Sequence, residues 1–146
     1  MVRRGSLPEL ASHVTVSQVA GFSRAADLLM TGRLISGQEA ATMGLIGDAV
    51  EQESLLARAL DIAQDIATNT APVSVALTKA LMWQNLSANI PQLMETEGRL
   101  INWLGDTPDV KEGVSAFMQK RDPKWQMSPT NDIPEEFAEL TRRSKG

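Results

Sequence analysis

Three prolines in the second half of the chain each precede a stretch whose apolar residues recur every three or four positions. Pro72, Pro91 and Pro108 stand at the beginnings of these stretches. Proline fits the first turn of an α-helix because its missing N–H would be unpaired there and its fixed φ is already helical. The prolines and the spacing therefore predict three consecutive helices, and they leave little room for a sheet.

The predicted helices have one apolar and one polar side. Residues 55–66 carry their apolar side chains at helical spacing, which predicts an amphipathic helix with one buried face. Thr107 is a typical N-cap residue before Pro108. Asp109 and Glu112 then lie near the positive end of that helix's dipole, where carboxylates are favoured.

Serine and glycine mark shorter helices in the first half of the chain. Ser36 and Glu39 have the spacing of a capping box, in which each residue caps the other's N–H. Gly44 follows where a left-handed residue ends such a helix, and Ser23 is a candidate cap for a helix before it. Residues 46–50 are the one plausible short strand.

Composition narrows the possible functions. The 146 residues are 42% hydrophobic and 22% charged, as in an ordinary soluble globular protein. The net charge is −4, and the basic pairs Arg3-Arg4 and Arg142-Arg143 are too short for a nucleic-acid surface. The absence of cysteine and the single histidine, His13, argue against a metal site. No apolar run is long enough to cross a membrane, so we expect a cytoplasmic protein without a membrane or nucleic-acid partner.

The residues resemble those of the crotonase superfamily, the enoyl-CoA hydratase/isomerase family. The resemblance is carried by three segments: RRGSLPELASHVTVSQVAG, GFSRAADLLMTGRLISGQEAATMGLI and TEGRLINWLGDTPDVKEGVSAFMQKRDPKW. It implies a mainly α fold, the C-terminal helical half of a crotonase fold, over residues 1–125. Residues 126–146 are predicted to be a polar, loosely attached tail with a short helix after Pro134. The family's β-rich N-terminal core is expected to have no counterpart in this chain.

Glu9 is the first candidate site residue. It follows Pro8 at a predicted loop-to-helix junction, where an apolar pocket would raise the pKa of its carboxyl group. The residues alone favour a simpler role, stabilisation of the helix dipole from the first turn. The resemblance instead implies an acid/base glutamate of the isomerase type, because hydratases of the family typically have glycine at this position.

Lys120 is the second candidate. The resemblance implies contact with the nucleotide end of coenzyme A, and a compact ammonium group suits a phosphate. The alternative is an ordinary basic residue in the last turn of a helix. Ile101 departs from an aromatic residue that some hydratases place beside the adenine. Trp83, Trp103 and Trp125 are predicted to anchor a core or an interface.

Two functions of different classes follow from these features. In the first, the chain is part of an enoyl-CoA hydratase/isomerase of fatty acid β-oxidation. It would act on acyl-CoA thioesters without a cofactor beyond the coenzyme A of the substrate, and it would be inactive alone or completed by a separate N-terminal half. In the second, the chain is a non-catalytic helical subunit for oligomerisation. The resemblance implies a homotrimer or a hexamer in either case.

Overall fold

The computed structural model describes residues 1–84 and 89–142. Those residues are mainly helical, as predicted, with eight α-helices and two 3-10 turns, Val2–Arg4 and Gln52–Ser54. The α-helices are α1 (Ser12–Ala20), α2 (Phe22–Thr31), α3 (Gly37–Thr42), α4 (Leu55–Asn69), α5 (Pro72–Gln84), α6 (Ile90–Gly105), α7 (Pro108–Gln119) and α8 (Glu135–Arg142). No helix among the described residues is long and apolar enough to span a bilayer.

The predicted proline starts are confirmed. Pro72 and Pro108 are the first residues of α5 and α7, and Pro91 is the second residue of α6. Thr107 occupies the N-cap position of α7, but its hydroxyl donates to the Leu104 carbonyl oxygen at 2.7 Å instead of capping the helix. Proline thus fixes where each helix begins, while the threonine hydroxyl closes the preceding turn.

The capping box at α3 is half confirmed. The Ser36 hydroxyl accepts a hydrogen bond from the Glu39 N–H at 3.1 Å, and Gly44 is left-handed with a φ of 80°. The reciprocal bond from the Glu39 carboxylate was a wrong prediction, because that carboxylate pairs with Arg33. Ser23 was also wrong as a cap, since α2 begins one residue earlier.

Residues 46–50 form bends and coil, so the predicted strand is wrong. A lone extended segment has no stability of its own because its backbone N–H and C=O groups need a neighbouring strand. The structure provides no such neighbour within residues 1–84 and 89–142.

The chain divides into two compact units, residues 1–57 and residues 58–146. In the first unit the buried apolar side chains are small, Ala20 and Ala25. Polar ties supplement this packing: Arg3 Nε donates to the Thr31 carbonyl oxygen at 2.7 Å. Turn chemistry and hydrogen bonds therefore define this unit more than a packed core does.

The second unit has a core of larger side chains. Val73 and Leu77 of α5 pack with Leu100 of α6 and Phe137 of α8, and the Phe137 ring lies 5.8 Å from that of Trp103. The segment after residue 125 is therefore not loosely attached, because Phe137 is only 4% exposed. The predicted helix after Pro134 is confirmed. Residues 143–146 of the predicted tail, with Arg143 of the basic pair, lie outside the described residues.

One further prediction about burial is wrong, and the prediction that the tryptophans anchor a core or an interface is confirmed for Trp103 and stays a prediction for Trp83. No residue of α4 is buried, although its apolar stripe predicted a buried face. Trp83 of α5 is 59% exposed, whereas Trp103 packs against the core of the second unit. Periodicity identifies an apolar face, but burial also needs a partner surface, and the described residues bury no side chain of α4.

Candidate functional site

Glu9 lies in the turn that leads into α1. Its carbonyl oxygen accepts from the Ser12 N–H at 3.1 Å, and its side chain is exposed. The carboxylate makes no hydrogen bond to any described residue. Glu9 stands before the N-cap residue Ala11, so it is outside the first helical turn that the dipole interpretation requires. The apolar pocket expected around the carboxylate is not formed by the described residues.

The backbone beside both candidates adopts a conformation that side chains disfavour. Leu10, Ala11 and Lys120 have φ values of 55°, 54° and 53°, and they are the non-glycine residues of the described chain with positive φ. The left-handed conformation costs a residue with a Cβ about 1–2 kcal/mol of conformational free energy. Such strain persists where the surrounding structure enforces it, and it clusters at functional sites. Both candidates therefore stand at or next to strained backbone.

Lys120 is the C-cap residue of α7. Its N–H donates to the carbonyl oxygens of Ala116 and Phe117, and its side chain is exposed. Glycine is the usual residue in this left-handed position because it has no Cβ. The ammonium group is free of ion pairs with the described residues, which leaves it available for an anionic ligand.

Arg121, the next residue, closes back onto α7 through Glu112. Its guanidinium donates to both carboxylate oxygens, with Nη1 at 2.6 Å from Oε1 and Nη2 at 2.9 Å from Oε2. Glu112 Oε1 also accepts from the Lys124 N–H at 2.7 Å, and Arg121 Nη1 donates to the Asp122 carbonyl oxygen at 3.0 Å. We call this set, Glu112, Arg121 and the Lys124 N–H, the α7 clamp.

The clamp fixes the protonation state of its own members. The hydrogen bond from Arg121, helped by the Lys124 N–H, lowers the pKa of Glu112 to about 2. The same carboxylate raises the pKa of Arg121. Glu112 is therefore ionised near neutral pH, and the clamp keeps its charge–charge contact there.

The same face of α7 holds the chain beyond the clamp. Asp109 is 3% exposed, and its carboxylate accepts from the Gln126 N–H at 2.7 Å and from the Met127 N–H at 3.3 Å. The Trp125 ring lies against Gly113, where an added Cβ would be 3.4 Å from the ring, and the indole N–H donates to the Thr68 carbonyl oxygen. Residues 121–127 are thus tied along the helix that Lys120 ends.

A second arginine network lies in the first unit. Arg33 follows the left-handed Gly32 and donates to Asp27 Oδ2 from Nη2 at 2.7 Å and from Nε at 2.9 Å. It also pairs with Glu39 at 2.8 Å. The hydrogen bonds to Glu39 and to Asp27 raise the pKa of Arg33. This arginine therefore joins α2 to α3 and is occupied by its two carboxylates.

An open groove of about 230 Å³ runs between α5 and α6. Leu81 and Leu104 line it with Ile101, and the Glu97 side chain and Thr78 provide polar groups. Ile101, which departs from the aromatic residue that some hydratases place beside the adenine, is 66% exposed. The groove is mainly apolar, with Ser74 as a third polar position, which suits a hydrophobic surface more than a charged ligand.

Comparison with known families identifies the scaffold that carries these groups. The family model described as enoyl-CoA hydratase/isomerase matches residues 1–128. The chain belongs to the enoyl-CoA hydratase/isomerase family, within the crotonase superfamily. The match includes Glu9, Lys120 and every member of the α7 clamp.

Relatives in this family are similar over most of the chain. "Enoyl-CoA hydratase AKT3-2" of Alternaria alternata is 35% identical over 86% of this chain and 42% of the relative. The human "Enoyl-CoA hydratase domain-containing protein 2, mitochondrial" is 34% identical over 84% of this chain and 43% of the relative. The chain spans about half the length of the curated relatives it matches.

Solved structures give the same assignment. A crystal structure of a probable enoyl-CoA hydratase/isomerase from Mycobacterium abscessus is 36% identical with a TM-score of 0.81, covering 87% of this chain and 50% of that one. An enoyl-CoA hydratase from Bacillus anthracis is 29% identical with a TM-score of 0.78, covering 85% and 48%. The helical fold described above is therefore a fold of this family.

The two predicted site residues lie in different compact units, Glu9 in the first and Lys120 in the second. Sequence reasoning missed the clamp and the buried role of Asp109. It placed Asp109 and Glu112 only in the field of the helix dipole. The sequence does place two carboxylates, Asp109 and Glu112, on one face of α7 before the basic residues Lys120 and Arg121. That pattern does not predict which group binds each carboxylate.

Proposed function

We propose that this chain contributes the acid/base carboxylate and a coenzyme A contact to an enoyl-CoA hydratase/isomerase-family enzyme. The observation that carries the proposal is the family match over residues 1–128, a range that contains both Glu9 and Lys120. Glu9 is the proton-transferring group, and Lys120 binds a phosphate of the coenzyme A nucleotide. The substrate class is an enoyl-CoA thioester.

The state of Glu9 supports its role in proton transfer. Its exposed carboxylate has no hydrogen-bond partner among the described residues, so it is not consumed by a structural contact. In the isomerase reaction it removes a proton from carbon 2 of a 3-enoyl thioester and returns it to carbon 4, which moves the double bond to carbon 2. Because one carboxylate serves both steps, isomerisation is favoured over hydration, in which water must also be activated.

The state of Lys120 supports phosphate binding. Its ammonium group is exposed and free of described ion pairs, unlike Arg33 and Arg121, whose guanidinium groups are occupied by carboxylates. An ammonium group donates three hydrogen bonds and suits the point charge of a phosphate. The Lys120 ammonium group is thus exposed and able to bind an anionic ligand.

The test of the acid/base role is Glu9→Gln, assayed with the chain co-expressed with the part of a family member that the chain does not match. Isomerisation of a 3-enoyl-CoA to the 2-enoyl-CoA is expected to fall about 10²- to 10⁴-fold, the usual contribution of general acid–base catalysis. Coenzyme A affinity stays within about twofold. Glu51→Gln, an exposed carboxylate of the same unit, is the matched control. Undiminished turnover in Glu9→Gln removes Glu9 from the mechanism.

The exposed apolar side chains favour the second function, a helical subunit for oligomerisation. Leu56 and Leu60 of α4 and Met94 and Ile101 of α6 are each more than half exposed. Apolar surface of this kind is covered in stable proteins by another chain or domain. Sedimentation equilibrium at micromolar concentration tests this function. A compact monomer argues against it, and a trimer or hexamer supports it only if the chain co-expressed with the unmatched part of a family member has no isomerase activity.

A further inference from the structure

We infer that Glu112 is a positioning residue for Lys120: through Arg121 and the Lys124 N–H it holds the lysine in the left-handed conformation that presents its ammonium group to a phosphate. This inference rests on the proposed phosphate contact of Lys120. It adds a residue that touches no ligand itself.

The first step of the argument concerns the backbone on either side of Lys120. Before it, the last turn of α7 closes through the Lys120 N–H, which donates to the carbonyl oxygens of Ala116 and Phe117. After it, the Arg121 side chain and the Lys124 N–H are both bound by the Glu112 carboxylate. Lys120 is therefore held on both sides, by backbone hydrogen bonds from its own N–H and from the Arg121 N–H to Ala116, and by the Glu112 carboxylate beyond it.

The second step concerns conformational preference. A lysine released from these anchors would leave the left-handed region, because its Cβ makes that conformation unfavourable by about 1–2 kcal/mol. Rotation of φ at this residue swings the whole side chain, whose ammonium group is at the end of four methylenes. A carboxylate that keeps Arg121 against α7 therefore also keeps the direction of the Lys120 side chain.

The third step excludes a general structural role for the clamp. The chain beyond the clamp has independent attachments, since Asp109 binds the Gln126 and Met127 N–H groups and the Trp125 indole donates to Thr68. These contacts retain residues 125–127 on the helix if Glu112 is changed. What Glu112→Gln removes is the charged contact beside Lys120, because Arg121 then keeps only neutral side-chain partners, Gln119 Oε1 at 3.0 Å and Ser115 Oγ at 3.4 Å.

Charge and position predict opposite effects on ligand affinity. The chain has a net charge of −4, so removal of any carboxylate strengthens attraction to the anionic coenzyme A by charge alone. Loss of position weakens binding. The sign of the change therefore separates the two explanations.

The experiment is a double-mutant cycle on the full chain, with coenzyme A as the probe in isothermal titration calorimetry at low salt. Lys120→Met is expected to weaken binding about tenfold or more, as for loss of a charged hydrogen bond. Glu112→Gln is expected to weaken binding by about threefold or more in the Lys120 chain and to leave it unchanged in the Lys120→Met chain.

Glu112→Asp keeps the charge and is expected to recover at least half of the lost affinity, which a variant that merely unfolds the segment would not do. Glu95→Gln, an exposed carboxylate of α6, is the matched control for charge and is expected to bind coenzyme A as well as or better than the unchanged chain. Circular dichroism of each variant verifies that the helices remain.

The outcomes distinguish two failures. If Lys120→Met does not alter coenzyme A binding, the phosphate contact of the proposed function is wrong and the positioning role falls with it. If Lys120→Met weakens binding but Glu112→Gln does not, or weakens it equally in both backgrounds, the phosphate contact survives and the positioning role is overturned.

Discussion

The two compact units of this chain reach defined structures by different means. Residues 58–146 enclose a core that contains Val73, Leu77, Leu100 and Phe137, whereas the buried apolar residues of the first unit are Ala20 and Ala25. The first unit relies more on hydrogen bonds and on turns that need glycine. Apolar burial is the larger source of stability, so the second unit is expected to withstand more denaturant.

The C-terminal ends of α2 and α7 have the same arrangement, with one difference. α2 ends at a left-handed residue, and the arginine that follows returns to a carboxylate of the same helix, Arg33 to Asp27. α7 ends in the same way, with Arg121 returning to Glu112. The left-handed residue is glycine in the first unit and Lys120 in the second. The comparison shows a lysine in a left-handed position where glycine would be less strained.

Phe137→Ala tests the core of the second unit and has the largest expected effect. Removing a buried phenylalanine typically lowers the free energy of unfolding by about 3–5 kcal/mol. Trp83, Trp103 and Trp125 all lie in this unit, so urea unfolding followed by tryptophan fluorescence measures it selectively. Phe117→Ala, at a position that is 82% exposed, is the control and is expected to have little effect. Equal losses for both variants would mean that the core is not where the unit's stability lies.

Gly32→Ala tests the turn of the first unit. Gly32 has a φ of +57°, and a Cβ there would meet Val2 Cγ2 at 2.8 Å. The expected loss is about 1–2 kcal/mol, mainly from the left-handed backbone. Hydrogen exchange of the α1 and α2 amides measures it. Gly98→Ala in α6, where a Cβ meets nothing, is the contrasting change and is expected to stabilise by about 0.5–1 kcal/mol. Unaltered protection in Gly32→Ala would show that glycine is not needed at this turn.

Lys120→Gly makes the two helix ends alike. In the folded chain, glycine removes about 1–2 kcal/mol of strain from the left-handed residue. In the unfolded chain, its greater conformational freedom favours unfolding by about 0.5–1 kcal/mol and offsets part of that gain. The free energy of unfolding from urea titration is therefore expected to rise by about 0.5–1 kcal/mol. Lys120→Ala keeps the strain and is expected to show no gain. A less stable Lys120→Gly chain would contradict the view that the lysine is held against its preference.

Acid titration separates the clamp from the rest of the second unit and has the smallest expected effect. Arg121 and the Lys124 N–H lower the pKa of Glu112 from 4.5 to about 2, so the clamp's contribution is complete above pH 4.5 and is lost as the pH falls through about 2. The difference in urea midpoint between the unchanged chain and Glu112→Gln should therefore shrink from pH 5 to pH 2. Glu95→Gln should follow the unchanged chain throughout. A difference that is constant with pH would mean that Glu112 acts through something other than its charge.

Local sequence signals predicted the fold well. Pro72, Pro91 and Pro108 determine helix starts through their own φ and missing N–H. The Ser36 hydroxyl caps α3 by accepting from an N–H only three residues further along the chain. Each of these features depends on neighbours in sequence. The mainly helical architecture follows from them without knowledge of tertiary contacts.

Features that depend on distant partners could not be predicted. Glu39 had two possible partners, the Ser36 N–H and Arg33, and sequence spacing favoured the one that the structure does not use. Glu112 meets an arginine nine residues away, beyond any helical repeat. The apolar stripe of α4 predicted burial that no described residue supplies. Glu9 and Lys120 were found through resemblance, and their catalytic and binding roles stay predictions.

The geometry of the α7 clamp also has a consequence for proteolysis. Lys120 and Arg121 form a dibasic pair at an exposed position, which a trypsin-like protease would normally cut. Such proteases bind their substrates as extended strands. A left-handed Lys120 followed by an arginine tied to Glu112 does not present an extended strand. Resistance of this peptide bond to cleavage is therefore a simple report of a closed clamp, and cutting there first would mark the chain in which the clamp has opened.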